Sequence, residues 1–258
     1  MKTSIIVSTY NWPSAIEACL TSLRFQTSSD FEVIVADDGS GIETQELIRH
    51  YQTLMPNLIY SWQEDRGYRL SRSRNLAFTK SSGKQLIFLD GDCICPPNFV
   101  RNHQKLSQKG HVTAGNRKLL NTKQTSNWLR NPSLFLDHFS SVKSSLKLKT
   151  LPLGLLRDAQ PQNHLKVRGC NIGIQRADFM KLNGFDESYE GWGKEDTDFA
   201  LRGINAGYSI RLGQFATTVL HLHHNEASRD NLEENLKRLN DLKISKRITP
   251  LKSLLTEN

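Results

Sequence analysis

Cysteine is scarce in this 258-residue chain, and long apolar runs are absent. The four cysteines, Cys19, Cys93, Cys95 and Cys170, show none of the regular spacing of a secreted disulfide framework, so they read as reduced thiols. Cys93-Ile94-Cys95 has no second cysteine pair at zinc-finger spacing, which argues against a structural zinc site. No apolar stretch approaches the roughly 20 residues of a membrane span. Lys2-Thr3 leads straight into Ser4-Ile5-Ile6-Val7-Ser8 with no small-residue cleavage site behind it. The expectation is therefore a cytoplasmic protein without a signal peptide. Repeats, low-complexity tracts and a Walker-type glycine loop are also missing.

What is present is ordinary for a folded enzyme-sized domain: 37% hydrophobic and 23% charged residues. The net charge of +8 is unevenly spread. Residues 101–176 hold fourteen Lys and Arg against Asp137 and Asp158, a local +12 that leaves −4 for the rest. Nucleic acid, an anionic substrate and a membrane surface are all partners such a segment could serve.

The first hundred residues alternate between strand and helix. Strands are expected at Ile5-Ile6-Val7, at 31–35 ending in Asp37-Asp38-Gly39-Ser40, at 58–62, and at 85–89 running into Asp90. Helices are expected at 13–25, 43–54 and 71–80. This order predicts an α/β fold, a doubly wound sheet with ligands at the carboxyl ends of its strands. Residues 101–168 look less regular. Further on, a helix is expected at 195–206, strands at 208–212 and 216–221, and a last helix at 233–246.

Asp90 and Asp92 flank Gly91 where an apolar strand meets a loop. At strand period both carboxylates face one side, which suits a hard divalent cation that also takes diphosphate oxygens. Asp-Gly-Asp alone is equally what a polar turn looks like; its neighbours in sequence decide. They are Val7-Ser8-Thr9-Tyr10-Asn11, Asp37-Asp38-Gly39-Ser40, Arg74-Asn75 and Gly191-Trp192-Gly193-Lys194-Glu195-Asp196. In this order they resemble the family 2 glycosyltransferases, and the likeness runs from Val7 to the histidines at 221–224. The segment from Gly184-Phe185-Asp186-Glu187 to Asp198 also resembles the acceptor-side motif of β-1,4-galactosyltransferases and bacterial chondroitin polymerases.

The resemblance implies a GT-A fold, Rossmann-like with a mixed sheet and helices on both faces. Residues 1–100 would form its nucleotide-sugar half and 101–258 its acceptor and catalytic-base half, within one domain. It implies that Thr9, Tyr10 and Asn11 cradle the nucleotide and that Asp37 meets uracil, while Asp38 shapes the turn or touches ligand. Arg74 would meet the diphosphate, and Arg72 is either a helper or a surface charge. Gly169, Cys170 and Asn171 would line the donor-sugar pocket or form a tight turn. Asp196 is the implied base and Glu195 the acceptor-sugar contact. An aspartate with an ordinary pKa of about 3.9 is adequate as a base when the hydroxyl acidifies during attack. Trp192, between glycines, can stack on a sugar or serve as a buried structural ring. Two aspartates do not complete an octahedral site. His221 and His223, two apart at a strand end, are the expected further ligands beside Asp90 and Asp92, with His224 in reserve. Imidazole tilts the expected cofactor toward Mn2+ over Mg2+.

The expected partners are a UDP-sugar donor and a saccharide or lipid-linked glycan acceptor. Residues 133–149 set Phe135, Phe139, Val142 and Leu146 at helical spacing beside Lys143, Lys147 and Lys149. This is either an amphipathic surface at the inner face of an anionic membrane or a helix packed on the sheet. The expected activity is inverting hexosyl or N-acetylhexosaminyl transfer in bacterial surface-polysaccharide or lipopolysaccharide synthesis. A catalytically silent sugar-nucleotide or glycan-binding module predicts loss of Asp90, Asp92 or Asp196, all of which are present. A nucleic-acid binder predicts stacking aromatics interleaved with the basic residues, which the packed spacing of Phe135 and Phe139 does not provide.

Overall fold

The computed structural model describes residues 1–132, 163–214, 216–225 and 228–256, and the amphipathic segment expected at 133–149 lies outside them. Strands β1 (Thr3–Thr9), β2 (Phe31–Asp37), β3 (Leu58–Trp62) and β4 (Gln85–Asp90) alternate with helices α1 (Pro13–Arg24), α2 (Ile42–Leu54) and α3 (Leu70–Thr79). β1 to β4 pair in parallel in the order β3-β2-β1-β4. Their β-branched runs explain why. Ile5 and Val7 pack in one core and Ile6 in another, as do Val33 and Val35 against Ile34, and Ile87 and Leu89 against Leu86 and Phe88. A strand apolar at every position must be covered on both faces, which crossover helices provide. Pro13 opens α1, where a missing N–H costs nothing.

The remaining strands complete two sheets. After β5 (Cys93–Ile94) and α4 (Phe99–Leu106) come β6 (His111–Ala114), β7 (Arg117–Leu119) and α5 (Thr122–Arg130). Next are β8 (Asn171–Gln175), α6 (Arg176–Lys181), α7 (Glu195–Asn205), β9 (Ser209–Leu212), β10 (Val219–His221) and α8 (Leu232–Ser245). β8 lies antiparallel between β4 and β6, giving a seven-stranded mixed sheet in the order β3-β2-β1-β4-β8-β6-β9. β5, β10 and β7 form a second, small sheet. The stretch from 101 to 132 is therefore more regular than its sequence suggests. Its strands are too short, at four and three residues, for alternation to be visible.

The chain leaves β1 toward β2 and β3, then crosses back to place β4 on the other side of β1. The strand order reverses there, and the carboxyl ends of β1 and β4 open a crevice. Ser8 is in register with Asp90, so the Thr9-Tyr10 and Gly91-Asp92 loops emerge side by side. Gly91 is required by proximity, since a Cβ there would lie 2.7 Å from the Ser8 carbonyl oxygen. Among the described residues no helix is long and apolar enough to cross a membrane.

α7 is held from behind by buried ion pairs. The Arg202 guanidinium meets Asp198 one turn earlier and donates to the Leu182 and Gly184 carbonyls. Arg247 reaches Asp186 and Asp198 at 3.4 and 3.5 Å. Asn75 exchanges hydrogen bonds with the Phe185 backbone and donates to Glu187. The acidic motif is thus fastened both to α3 and to the segment after α8.

Candidate functional site

A cavity of about 560 Å³ occupies the crevice. Ser8, Thr9, Tyr10 and Asp38 line one side; Asp90, Gly91 and Asp92 form its floor. Arg117, Leu119 and the run from His221 to Asn225 face them from the small sheet, and Tyr68 and Trp192 stand at the mouth. A second cleft, of about 400 Å³ beside Glu187 and Arg238, lies away from these groups.

The two aspartates of Asp90-Gly91-Asp92 share the cavity but have different partners. Asp90 accepts from Arg74 at 2.9 Å. Burial pushes its pKa up, and the Arg74 charge opposes that rise. Asp92 faces histidine: His221 Nε2 lies 3.5 Å from one carboxylate oxygen and His224 Nε2 3.2 Å from the other. The hydrogen bond that His224 donates to Asp92 holds its pKa up at about 9. Cys93 Sγ is fully buried 3.6 Å from Asp92, and the Asp92, Cys93 and His221 ligand atoms lie within 4.8 Å of one another. A carboxylate with an imidazole beside each of its oxygens is a donor set that fits a divalent cation. A cation held there would have to displace the His224 proton, so its affinity would rise with pH.

The structure places His224, not His223, beside Asp92 together with His221. β10 ends at His221, so the alternation that would put His223 on the same face stops there. His223 is exposed at the cavity, and its backbone N–H donates to Thr125. His224 turns back instead, its ring 5.2 Å from that of His221 and edge-on to Trp12.

Four nucleotide-sugar expectations change in the same way. Asp37 is fully buried, accepting from the Ser40 N–H and the Tyr60 hydroxyl, so it is a turn-former. It is Asp38 that lines the cavity, held by Gln63 and the Arg69 N–H. Asn11, at φ 45°, accepts from the Gly41 N–H and shapes the loop beneath the cavity. Arg74 is fully buried and does not line the cavity: it donates to Ser8, Asp90 and the Gly169 carbonyl, with Glu195 3.7 Å away. Asn171 is a buried pin, donating to the Asn116 and Thr217 carbonyls and meeting His103 with its oxygen. Thr9, Tyr10, Asp90, Gly91 and Trp192 do line the cavity. Arg72 is occupied by Gln63.

Glu195 and Asp196 stand behind the cavity wall at the start of α7. Asp196 accepts from the Gly169 N–H at 2.8 Å and from both the N–H and the hydroxyl of Thr197. Burial first, and then the Asp196 charge, push the Glu195 pKa up to about 7 against the pull of Arg74. Tyr68 links this pair to the cavity: desolvation, then the Glu195 and Asp90 charges, raise its phenol pKa. Neither Tyr68 nor Arg117 is singled out by the sequence. The only signal for Tyr68 is its place after Gly67, just ahead of α3.

The Glu195 shift has a measurable cost. Its folded pKa lies above the ordinary 4.5, so its contribution is favourable below that pH and is lost as pH climbs to about 7. Once ionised, the buried carboxylate costs roughly a few kcal/mol. Glu195→Gln should therefore flatten the fall in thermal midpoint between about pH 5 and about pH 8, read by calorimetry. A slope identical to that of the native protein would show that Glu195 is not the group responsible.

Comparison with known proteins agrees with this geometry. Residues 4–160 match the family model described as glycosyl transferase family 2, and residues 158–225 match one described as the N-terminal domain of galactosyltransferase. Validoxylamine A glucosyltransferase of Streptomyces hygroscopicus subsp. jinggangensis is 28% identical over 77% of this chain and 50% of its own. Chondroitin synthase of Escherichia coli is 27% identical over 81% of this chain and 33% of its own. The chain thus spans half or less of these two relatives. Among solved structures, S. aureus TarS 1-349 in complex with UDP-GlcNAc superposes with TM-score 0.65 at 20% identity, over 93% of this chain and 65% of that one. GalNAc-T7 with UDP, GalNAc and Mn2+ gives TM-score 0.62 at 15% identity, over 87% and 44%. The fold is that of the GT-A glycosyltransferases. With its crevice at the β1–β4 reversal, its acidic floor and a family match over more than half its length, the chain belongs to glycosyl transferase family 2.

Proposed function

We propose that the protein is a metal-dependent inverting glycosyltransferase moving a hexose or N-acetylhexosamine from a UDP-sugar to a hydroxyl of a saccharide or lipid-linked glycan. Assembly of bacterial surface polysaccharide or lipopolysaccharide is the setting that fits such an acceptor. The observation that carries this reading is the convergence of His221 and His224 on Asp92, across the crevice from Thr9, Tyr10 and Asp38. Solved neighbours, one in complex with UDP-GlcNAc and another with UDP, GalNAc and Mn2+, support the donor and metal classes.

Asp38 takes over the uracil-side role first expected of Asp37, because only Asp38 faces the cavity. Asp92, His221 and His224 are the residues to hold Mn2+ or Mg2+, with Asp90 beside them and His223 at the rim. A bound cation supplies positive charge to the departing diphosphate. The acceptor oxygen attacks the anomeric carbon as the bond to the diphosphate breaks. UDP leaves with the bonding pair, the anomeric centre inverts, and the acceptor proton passes to Asp196. Glu195, half-protonated near neutrality, can both accept from and donate to the acceptor sugar. Trp192, partly exposed between two positive-φ glycines, offers a face for that sugar to stack on.

A screen of UDP-sugars with MnCl2, read as UDP release with and without simple glycoside acceptors, tests the proposal. One donor should stand out and lose its signal in chelator. Absence of UDP release from every donor would sink the reading.

A further inference from the structure

With Arg74 buried beneath Asp90, the cavity needs another source of positive charge for an anionic ligand. Asp38, Asp90 and Asp92 contribute three carboxylates to its lining, and Arg117 is the one lysine or arginine among the described lining residues. Arg117 sits on β7, which runs parallel to β10 and hydrogen-bonds to it, so the strand carrying the Asp92-facing His221 also positions Arg117. The register pairs Arg117 with Val219, and the Leu120 N–H donates to the His221 carbonyl just beyond.

The guanidinium itself is poorly satisfied. Its Nε is buried without a hydrogen-bond partner among the described residues, and its Nη1 meets only the weak acceptor Cys170 Sγ at 3.8 Å. Among the described residues no carboxylate pairs with it. A buried donor left unpaired is costly, and a guanidinium offers a fork of donors matched to phosphate oxygens. Arg74 Nη1 and Arg69 Nε also lack a hydrogen-bond partner among the described residues, but those guanidiniums have strong acceptors elsewhere: Arg74 meets Asp90 and the Gly169 carbonyl, Arg69 the Glu64 carbonyl, and Arg72 meets Gln63.

Resting on the UDP-sugar reading above, we infer that Arg117 is the diphosphate-binding cation of the cavity, donating to the terminal phosphate of UDP from the wall that carries His221. This assigns to β7 a role expected in sequence of Arg74, and it makes the small sheet part of the donor site. UMP, which lacks the second phosphate, should be indifferent to Arg117.

Calorimetric titration of uridine, UMP and UDP, each with excess MnCl2, into native protein, Arg117→Ala and Arg117→Lys tests this. Arg117→Ala should weaken UDP on the order of 10- to 100-fold and UMP by less than about threefold, with Lys recovering part of the loss because it keeps the charge but not the fork. Arg117→Gln, which keeps most of the side-chain volume, replaces the Ala variant should that one fail to fold, and should show the same UDP-selective loss. Native protein that binds UMP and UDP equally overturns the inference, as does an Arg117 variant that keeps native UDP affinity or loses UMP and UDP in parallel. Native protein that binds none of the three takes down the UDP-sugar reading as well, so the two failures are distinguishable.

Discussion

Asp196→Asn should lose glycosyl transfer by on the order of 10²- to 10⁴-fold, the usual worth of a positioned general base, while UDP affinity stays near native. The separation follows from location. Asp196 opens α7, behind the wall, whereas the nucleotide-side groups Thr9, Tyr10 and Asp38 lie along the cavity. An amide is a poor proton acceptor, but its oxygen can still take the Gly169 N–H. Its NH2 would meet the Thr197 N–H, so the variant needs a thermal midpoint beside its rate. Glu195→Gln is the necessary companion. If Asp196→Asn turns over normally while Glu195→Gln is dead, the base is Glu195, whose pKa of about 7 suits that task. Loss in both, with UDP binding intact, leaves the proton with Asp196 and the acceptor contact with Glu195.

Asp92→Ala should reduce turnover on the order of a thousandfold, since cation stabilisation of a leaving diphosphate is worth several kcal/mol. The residual rate should be the same with MnCl2 or with chelator. Asp92 is the group to remove because its two oxygens separately face His221 and His224, whereas Asp90 is partly neutralised by Arg74. The substitution also strips His224 of the carboxylate that raises its pKa. The His224 resonance should therefore titrate at lower pH in Asp92→Ala, which NMR can follow without any substrate. Full activity of the native protein in chelator removes the cation from the mechanism.

The elements of the first hundred residues were legible because the buried parallel strands carry consecutive apolar residues at their centres and are bounded by turn residues. Asp90-Gly91-Asp92 was legible as a site because its neighbours in sequence follow a recognisable order. The sequence was least informative where direction matters. Asp37 and Asp38 are chemically identical, and only the turn that closes Ser40 onto Asp37 sends one inward and the other to the cavity. Arg74 reads in sequence as a diphosphate contact, yet it is fully buried among Ser8, Asp90 and Gly169. Asn171 looked like a pocket residue for lack of any sign that its amide ties three loops together. His224 lies beside Asp92 in place of His223 because the strand ends at His221, two residues short of where the alternation would have to reach. For Arg74, Asn171 and His224 the deciding contacts are distant in sequence, and such contacts leave no local trace.

The antiparallel insertion of β8 between β4 and β6 bears on how donor specificity can be transplanted. β4 is covered on both faces and paired on both edges, with β1 along one and β8 along the other. A fragment limited to residues 1–100 contains β4 but not β8. It would present the Leu86-Ile87-Phe88-Leu89 backbone as a bare, apolar rim that recruits foreign strands. Residues 1–100 are therefore not a cassette that recombination or a fusion protein can carry elsewhere. A change of donor sugar has to arrive as individual side-chain replacements around an intact sheet.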